Sequence, residues 1–267
     1  MKKISLFALA AVLFACKTDK TKQQPMPEDV PVISPAVQND YPETITKVFD
    51  AHGGLVTWKS FKTLSFTISK EESSETHTVA LKSRKERITA PDFSTGFDGS
   101  EIWLLDEKGA YEGDAVFYHN LMFYFYAMPF VLADDGINYQ ETPPLAFEGT
   151  SYPGMLISYD AGIGNSPKDE YFLHYHPETF QMEWLGYTVT FRSGEKSHNV
   201  KWIRYNDWMA VDGLLLPKSI TWYITQGTTL VKPRNTVAFE NVSLSTVEKP
   251  AGFYDKPEKG VFVSGTN

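Results

Sequence analysis

Cysteine, long apolar runs and positive charge are all scarce in this chain of 267 residues. The single cysteine, Cys16, excludes a disulfide framework within the chain. No uninterrupted run reaches the ~20 apolar residues that a membrane-spanning helix needs. The formal net charge is −8. Acidic proteins without a basic patch are poor nucleic-acid binders, so we expect no nucleic-acid partner.

The beginning of the chain has the pattern of a bacterial export signal. Lys2 and Lys3 precede a short apolar stretch, residues 4–14, which cannot span a bilayer. The ending LFAC, residues 13–16, resembles the lipobox, in which the cysteine is acylated and the signal is cut just before it. We therefore predict a signal peptide over residues 1–15 and a lipid anchor on Cys16. Residues 16–39, rich in Lys, Gln, Pro and Asp, are then expected to be a disordered tether.

Residues 42–70 change from helical to strand periodicity. One helical face of PETITKVFDAH is apolar, and Gly53-Gly54 are expected to end this helix. A second short helix, LVTWKSF, should follow directly. From Thr63 every second residue is apolar in TLSFTIS, which predicts a strand, and further strands are expected in HTVALKSRKERIT and after the Asp98-Gly99 turn.

Residues 115–136, AVFYHNLMFYFYAMPFVLADDG, form a long apolar segment without alternation. We predict a helix that is apolar nearly all round and ends at Pro129. A membrane-spanning helix is disfavoured because His119, Asn120 and Pro129 interrupt the segment. Its aromatic side chains therefore either pack in the core or line a ligand site.

The stretch DEYFLHYHPETFQMEWLGYTVTF, residues 169–191, predicts a hairpin that turns at HPET. His174 and His176 share one face of its first strand, and Met182 and Trp184 are expected to share one face of the second. Both faces carry large apolar side chains, which favours a hairpin covered on both sides.

The paired histidines raise the alternative of a metal site. A third ligand would have to come from His119, Asp134 or Asp135, since zinc needs three or four ligands at about 2.0–2.2 Å. Nothing in the spacing makes His174 and His176 converge with these groups. We therefore expect no metal and interpret the hairpin as the wall of an apolar site.

The sequence as a whole predicts one domain, residues 40–267, of mainly β structure with helices (α+β). Turns at SYPG (151–154), HPET and VDGLLLP (211–217) separate strands as far as the C-terminal end. A long antiparallel meander interrupted by an apolar helix is best accommodated by a strongly curved sheet with inserted helices.

Five stretches resemble a known family: AHGGLVTWKSFKTLSF, SRKERI, MPFVLADDGINY, GNSPKDEYFLHYHPETFQMEWLGYTVTF and VDGLLLP. They are similar to an uncharacterised family of secreted bacterial lipoproteins related to the LolA/LolB-like lipoprotein carriers. The resemblance covers most of residues 42–250 and implies an unclosed antiparallel β-barrel with a helical lid, holding acyl chains in its concavity. It also implies anchoring at the outer membrane, facing the periplasm, with surface display left open. In the carriers an arginine closes the mouth. Arg84 and Arg87 are the nearest candidates, unless they are exposed charges on an edge strand.

These features favour a binding protein over an enzyme. HGG at residues 52–54 resembles part of an esterase oxyanion hole, but the chain lacks the G-x-S-x-G serine that this chemistry needs. We expect a monomer without a cofactor that holds a lipid, acyl chain or other apolar ligand, with segment 115–136 as a lid. The residues expected to bind the ligand are Phe66, Trp103, Phe117, Leu121, Phe125, Met128 and Trp184. The rival interpretations are a scaffold lipoprotein with a self-filled concavity and a hydrolase of envelope material.

Overall fold

The structure is a computed structural model that describes residues 41–70, 73–160 and 168–264. The predicted signal peptide, Cys16 and tether lie outside these ranges, and the predicted domain limits stay a prediction. The helices are α1 (Glu43–Ala51), α2 (Leu55–Ser60), α3 (Ala115–Tyr118) and α4 (Leu121–Tyr126), followed by a 3₁₀ turn (Phe130–Ala133).

The described strands form two antiparallel sheets of seven strands each. In chain order the strands are β1 (Thr63–Ser69), β2 (Ser74–Ala80), β3 (Glu86–Thr89), β4 (Ser94–Phe97), β5 (Ile102–Leu105), β6 (Ile137–Phe147), β7 (Thr150–Tyr159), β8 (Tyr171–Tyr175), β9 (Met182–Tyr187), β10 (Lys201–Val211), β11 (Leu214–Gln226), β12 (Thr229–Ala238), β13 (Glu240–Ser245) and β14 (Val261–Val263). Sheet A has the order β13-β1-β2-β3-β4-β5-β14, and sheet B the order β12-β11-β10-β9-β8-β7-β6.

The two sheets meet where the chain passes from β12 to β13. Phe239 lies between these strands, and its buried ring contacts Phe66 of sheet A and Tyr126 of α4, at 5.5 and 4.4 Å. This side chain fills the space where the two sheets adjoin without pairing. The prediction of a mainly β fold with helices and an unclosed antiparallel architecture is confirmed, with the strands divided between two sheets instead of one.

The predicted helix end at Gly53-Gly54 is confirmed and contacts the turn predicted in VDGLLLP. Gly53 and Gly54 have φ angles of 100° and 84°, which glycine adopts without steric cost. A Cβ on Gly53 would lie 2.3 Å from the carbonyl oxygen of Gly213, between β10 and β11. The Leu215 N–H also donates to the His52 carbonyl at 2.9 Å. Glycine therefore lets the end of α1 contact sheet B backbone to backbone.

The apolar segment 115–136 is not the single helix that its composition predicts. It divides into α3, α4 and the 3₁₀ turn, because Asn120 adopts the left-handed conformation between α3 and α4, with φ of 57°. Asp114 caps α3 by accepting hydrogen bonds from the backbone N–H groups of Val116 and Phe117. Within the described ranges, no helix is long and apolar enough to cross a membrane.

One apolar core joins the helices to both sheets. Phe130 of the 3₁₀ turn stacks on Trp58 of α2 with ring centroids 4.9 Å apart. The Tyr205 hydroxyl of β10 donates to the Phe125 carbonyl of α4 at 2.8 Å. The broken segment is therefore covered by protein, as its composition requires.

The predicted hairpin in residues 169–191 is confirmed as β8 and β9, with one change of face. His174 lies opposite Trp184, but a bulge after His174 places Tyr175 opposite Met182. Met182 belongs to the core between the helices and the sheets, whereas Trp184 does not. The prediction that Met182 and Trp184 share a face is therefore wrong.

The stretch SYPG (151–154) is part of a strand and not the predicted turn. It lies in β7, where Gly154 pairs with His174 of β8. A Cβ on Gly154 would lie 2.4 Å from Nδ1 of His174. Glycine is needed here to admit the buried His174 ring, so its presence does not indicate a turn.

The outer strands of sheet B contain proline. Pro143 and Pro144 lie in β6, next to a shift in its pairing with β7, and Pro233 lies in β12. Proline has no N–H to offer to an additional strand, so it is tolerated at a sheet edge and discourages further pairing there.

Candidate ligand-binding cavity

A cavity of about 610 Å³ lies between the broken helical segment and sheet B. Its wall is formed by α3, α4, the turn between β2 and β3, and side chains of β7 to β11. Pockets that hold small ligands typically have volumes of ~300–1,000 Å³. The size of the cavity therefore suits a small organic ligand.

One part of the wall is apolar. Phe125 contacts the rings of Tyr187 and Trp222 at 5.1 and 5.7 Å, and Phe117 contacts Phe191 at 5.4 Å. The Trp222 Nε1–H donates to the Tyr187 hydroxyl at 2.9 Å, so the indole N–H is satisfied within the protein. The apolar lining residues are Phe97, Val116, Phe117, Leu121, Met122, Phe125, Val189, Phe191 and Trp222.

A second part of the wall is polar and consists of Arg84, Tyr124, Asp134, Tyr159, Asp169 and Tyr171. The rings of Tyr159 and Tyr171 meet edge to face at 5.9 Å. Burial raises the pKa of both tyrosines, so both hydroxyls are neutral. Burial also raises the pKa of the Asp169 carboxyl, which accepts a hydrogen bond from the Thr190 N–H at 2.7 Å.

Arg84 connects the turn between β2 and β3 to the residues after α4. Its Nη2 donates to both carboxylate oxygens of Asp134 at 2.5 Å, and its Nη1 donates to the Leu81 carbonyl. The guanidinium also lies over the Phe123 ring, 5.1 Å from the centroid. Burial raises the pKa of Asp134, although Arg84 acts in the opposite direction. Arg84 is therefore part of the cavity wall and not an exposed charge.

Arg87, the other arginine suggested by the resemblance, does not line the cavity. It lies in β3, which pairs on both sides and is not an edge strand. Its guanidinium lies over the rings of Trp103 and Phe253, 5.9 and 5.6 Å from their centroids. Of the two candidates, only Arg84 lines the cavity.

A buried network of carboxylates and histidines holds the break between α3 and α4. The Glu86 carboxylate accepts from the Asn120 N–H at 2.7 Å and lies 3.2 Å from Nδ1 of His119 and 3.3 Å from Nδ1 of His77. The Nε2 atom of His77 lies 3.4 Å from Glu75. Because a carboxylate on β3 binds the Asn120 N–H, that group does not continue the helix.

The two carboxylates in this network are ionised despite their burial. Burial alone would raise the pKa of Glu75 and Glu86, but hydrogen bonds and nearby positive charge outweigh it and lower both pKa values to about 2. Burial alone would lower the pKa of His77, but the two carboxylates outweigh it and raise the pKa. The Tyr118 hydroxyl donates to Glu75, and Lys70 pairs with it at 2.9 Å. The charges thus compensate one another behind the cavity wall.

Three of the seven residues predicted to bind the ligand line the cavity: Phe117, Leu121 and Phe125. The other four are buried in the protein and do not line it: Phe66, Trp103, Met128 and Trp184. Phe66 stacks on His77 at 4.8 Å, and Trp184 lies beneath the Arg204 guanidinium on the other face of β9, at 4.7 Å. These four residues therefore lie away from this cavity, and their role in ligand binding stays a prediction.

The side chains considered for a metal site do not converge. The Nδ1 atom of His174 lies 3.1 Å from the Tyr152 carbonyl, whereas His176 accepts from the N–H of Glu178 in the turn. His119 and Asp134 are bound to Glu86 and Arg84. In the described part of the chain, no three or more His, Cys, Asp or Glu side chains are grouped to hold a metal.

Several residues of this region were not identified from the sequence. Glu75 and His77 alternate with threonine and serine in SETHTVA, which is typical of a strand with one exposed polar face. In the structure both are buried, because β2 lies in the middle of sheet A and its inner face is covered by α3. Tyr159 at the end of β7 and Tyr171 at the start of β8 reach the cavity, as does Asp169 just before β8. The sequence pattern does not determine how these two strands pair.

Comparison with solved structures finds proteins with a similar fold. A LolA superfamily protein from Nitrosomonas europaea has 8% identity and a TM-score of 0.46, and the match covers 78% of this chain and 96% of that protein. An outer membrane lipoprotein-sorting protein domain from Vibrio parahaemolyticus has 7% identity, a TM-score of 0.42 and coverages of 78% and 93%. A DUF1329 family protein from Desulfovibrio piger has 10% identity, a TM-score of 0.44 and coverages of 76% and 94%.

At identities of 7–10% the likeness is one of fold alone. No protein-family model matches the chain, and a search of curated proteins finds no match.

Proposed function

We propose that this protein binds a lipid, an acyl chain or another apolar ligand in the cavity beside the broken helical segment. The observation that supports the proposal is an open volume of about 610 Å³, one part of whose wall is apolar. A scaffold whose concavity was filled by its own side chains would leave no such volume, since protein interiors are closely packed. Burial of apolar ligand surface would contribute roughly 25 cal/mol per Å² to binding.

The proposal includes a position at the cell envelope and a means of access. Acylation of Cys16 would anchor the protein at the outer membrane, facing the periplasm and close to a source of lipids. Segment 115–136 is the lid of the cavity. Glu86 holds its middle, and the ion pair between Arg84 and Asp134 holds its end.

A hydrolase is the second candidate, and one observation favours it. His119 lines the cavity, with its Nδ1 against the Glu86 carboxylate at 3.2 Å, as a general base would be oriented. However, its Nε2 lies 2.9 Å from the side-chain amide of Asn120. Serine and cysteine are also missing from the described residues that line the cavity. We therefore favour binding over catalysis.

The test uses the full chain with Cys16→Ser, exported to the periplasm and purified without detergent. Native mass spectrometry and analysis of the organic extract should show about one bound lipid per chain. Leu121→Trp, which fills the cavity, should abolish this binding, whereas Val56→Trp, at an exposed position of α2, should not. An apo mass without uptake of added fatty alcohol, fatty acid or lysophospholipid would overturn the proposal. Release of hydrolysed products would instead support the second candidate.

A further inference from the structure

We propose that the cavity selects amphiphiles whose head group donates hydrogen bonds and carries no negative charge, such as a glycerol ester or an amine. Amphiphiles with a carboxylate or phosphate head should bind more weakly. This inference rests on the proposed function and adds to it the chemical class of the head group.

The guanidinium charge of the wall is already compensated by the protein. Arg84 gives its Nη2 to both oxygens of Asp134 at 2.5 Å. His119 lies against the buried Glu86 carboxylate at 3.2 Å. An anionic head group would therefore have to displace the Asp134 carboxylate from Arg84 before it gained a cation. Breaking such a pair leaves an uncompensated charge in a desolvated site, which is unfavourable.

One carboxylate of the wall has no such compensation. Asp169 accepts a hydrogen bond from the Thr190 N–H at 2.7 Å, but in the described part of the chain it forms no ion pair. The nearby Lys168 and Lys196 pair with other carboxylates. Burial raises the pKa of Asp169 although the hydrogen bonds from Thr190 act in the opposite direction, so its charged form would gain from further stabilisation. A ligand group that donates a hydrogen bond would provide it, whereas a second anion would be repelled.

Two hydroxyl groups of the polar wall also lack a partner. Tyr159 and Tyr171 line the cavity, and across the described ranges neither hydroxyl forms a hydrogen bond. An unpaired polar group in a partly desolvated site is unfavourable. Neutral phenols both donate and accept, so they can pair with the hydroxyls of a glycerol head group. Together with Asp169 they form a polar end that is rich in acceptors, next to an apolar end that suits a chain.

The two remaining charges at the cavity do not alter this balance. Asp135 and Lys201 line the cavity but are exposed to solvent, and they are opposite in sign. Charges in contact with water are screened by salt, so they contribute little to the choice of head group.

The test compares ligands with one chain and different heads, on the full chain with Cys16→Ser. Dodecanoate, dodecylamine and monododecanoylglycerol would be titrated at neutral pH against a neutral fluorescent apolar probe. The glycerol ester and the amine should displace the probe at concentrations lower than dodecanoate by about tenfold or more, which corresponds to roughly 1.4 kcal/mol. Dodecanoate binding as tight as that of the glycerol ester would overturn the inference.

Two variants identify the responsible groups, and a third is the matched control. Asp169→Asn should reduce the difference in affinity between dodecanoate and the glycerol ester, which is the gap followed in all three variants. Asp134→Asn should improve dodecanoate binding by freeing Arg84. Asp160→Asn, an exposed acid outside the cavity, should leave the gap unchanged. A gap that Asp169→Asn does not narrow would refute the role of Asp169. If none of the three ligands binds, the proposed function itself fails, which is a different result from the wrong order of affinities.

Discussion

Substitution of Glu86 by Gln tests how the wall of the cavity is held. Glu86 is fully buried and is the only group in the described network that contacts both Asn120 and the two histidines. Glutamine has nearly the same shape and keeps one acceptor oxygen, so it can still bind the Asn120 N–H. It carries no charge, and its amide group donates where the second carboxylate oxygen accepted.

The expected loss follows from the burial of the network. Removing one member of a buried ion pair costs about 3–5 kcal/mol, because the remaining charge stays uncompensated. The lower end of this range is appropriate, since His77 keeps Glu75 as a partner at 3.4 Å. For a domain of ~150–250 residues, 1 kcal/mol corresponds to about 2–4 °C in Tm. Glu86→Gln should therefore lower the free energy of unfolding by about 3 kcal/mol and Tm by about 6–12 °C.

Urea unfolding followed by circular dichroism, together with calorimetry, measures both quantities. Glu107→Gln is the matched control, because it removes an exposed carboxylate that pairs with Lys259 at 2.6 Å. Exposed pairs contribute little, so this variant should unfold like the unmodified chain. If Glu86→Gln and Glu107→Gln unfold at the same urea concentration, the buried network does not stabilise the fold and our reasoning is wrong.

Three further predictions concern titration, packing and backbone conformation. Burial lowers the pKa of His52 to about 4, so stability should fall by about 3 kcal/mol as the pH decreases from 6.5 towards 4. It should also fall above pH 6.5, as the raised pKa of His77 is passed. The free energy of unfolding in urea should be highest near pH 6.5. His52→Gln should flatten only the acid side of this profile, and a profile that rises or falls steadily with pH would contradict the assignment of its two sides to His52 and His77. Gly154→Ala should lower the free energy of unfolding, measured with urea, by about 1–3 kcal/mol, because its Cβ would clash with the His174 ring. Combining it with His174→Ser should recover part of this stability, and strictly additive losses in the double variant would contradict the clash. Asn120→Ala should unfold about 1 kcal/mol more easily than Asn120→Gly, since only glycine adopts its left-handed φ without cost, and equal midpoints would argue against strain there.

Local sequence patterns correctly predicted those elements whose conformation depends on residues close by in the sequence. The predicted first helix, 42–52, corresponds to α1, and TLSFTIS coincides with β1. In these cases periodicity and a Gly pair determine the element. Part of the cavity lining was also predicted, because segment 115–136 is apolar on all sides. Phe117 and Leu121 of this segment line the cavity although the segment is not one continuous helix.

Prediction failed where a distant residue decides the local conformation. The helix predicted over 115–136 is broken because Glu86 binds Asn120 from another strand. Gly154 was interpreted as a turn residue, although its role depends on the ring of His174. The shared face predicted for Met182 and Trp184 was wrong, because the bulge after His174 leaves no mark in the alternation of residues.

The prolines at the borders of sheet B have a consequence for the behaviour of the protein in a crowded compartment. An unclosed arrangement of sheets leaves backbone groups at its margins that act as templates for fibre growth. Both borders of sheet B carry proline, in β6 and in β12. At these prolines a strand from another molecule would find no backbone N–H to pair with. The protein can keep its cavity accessible to ligands and still resist self-assembly, because access and edge protection are set by different parts of the same sheet.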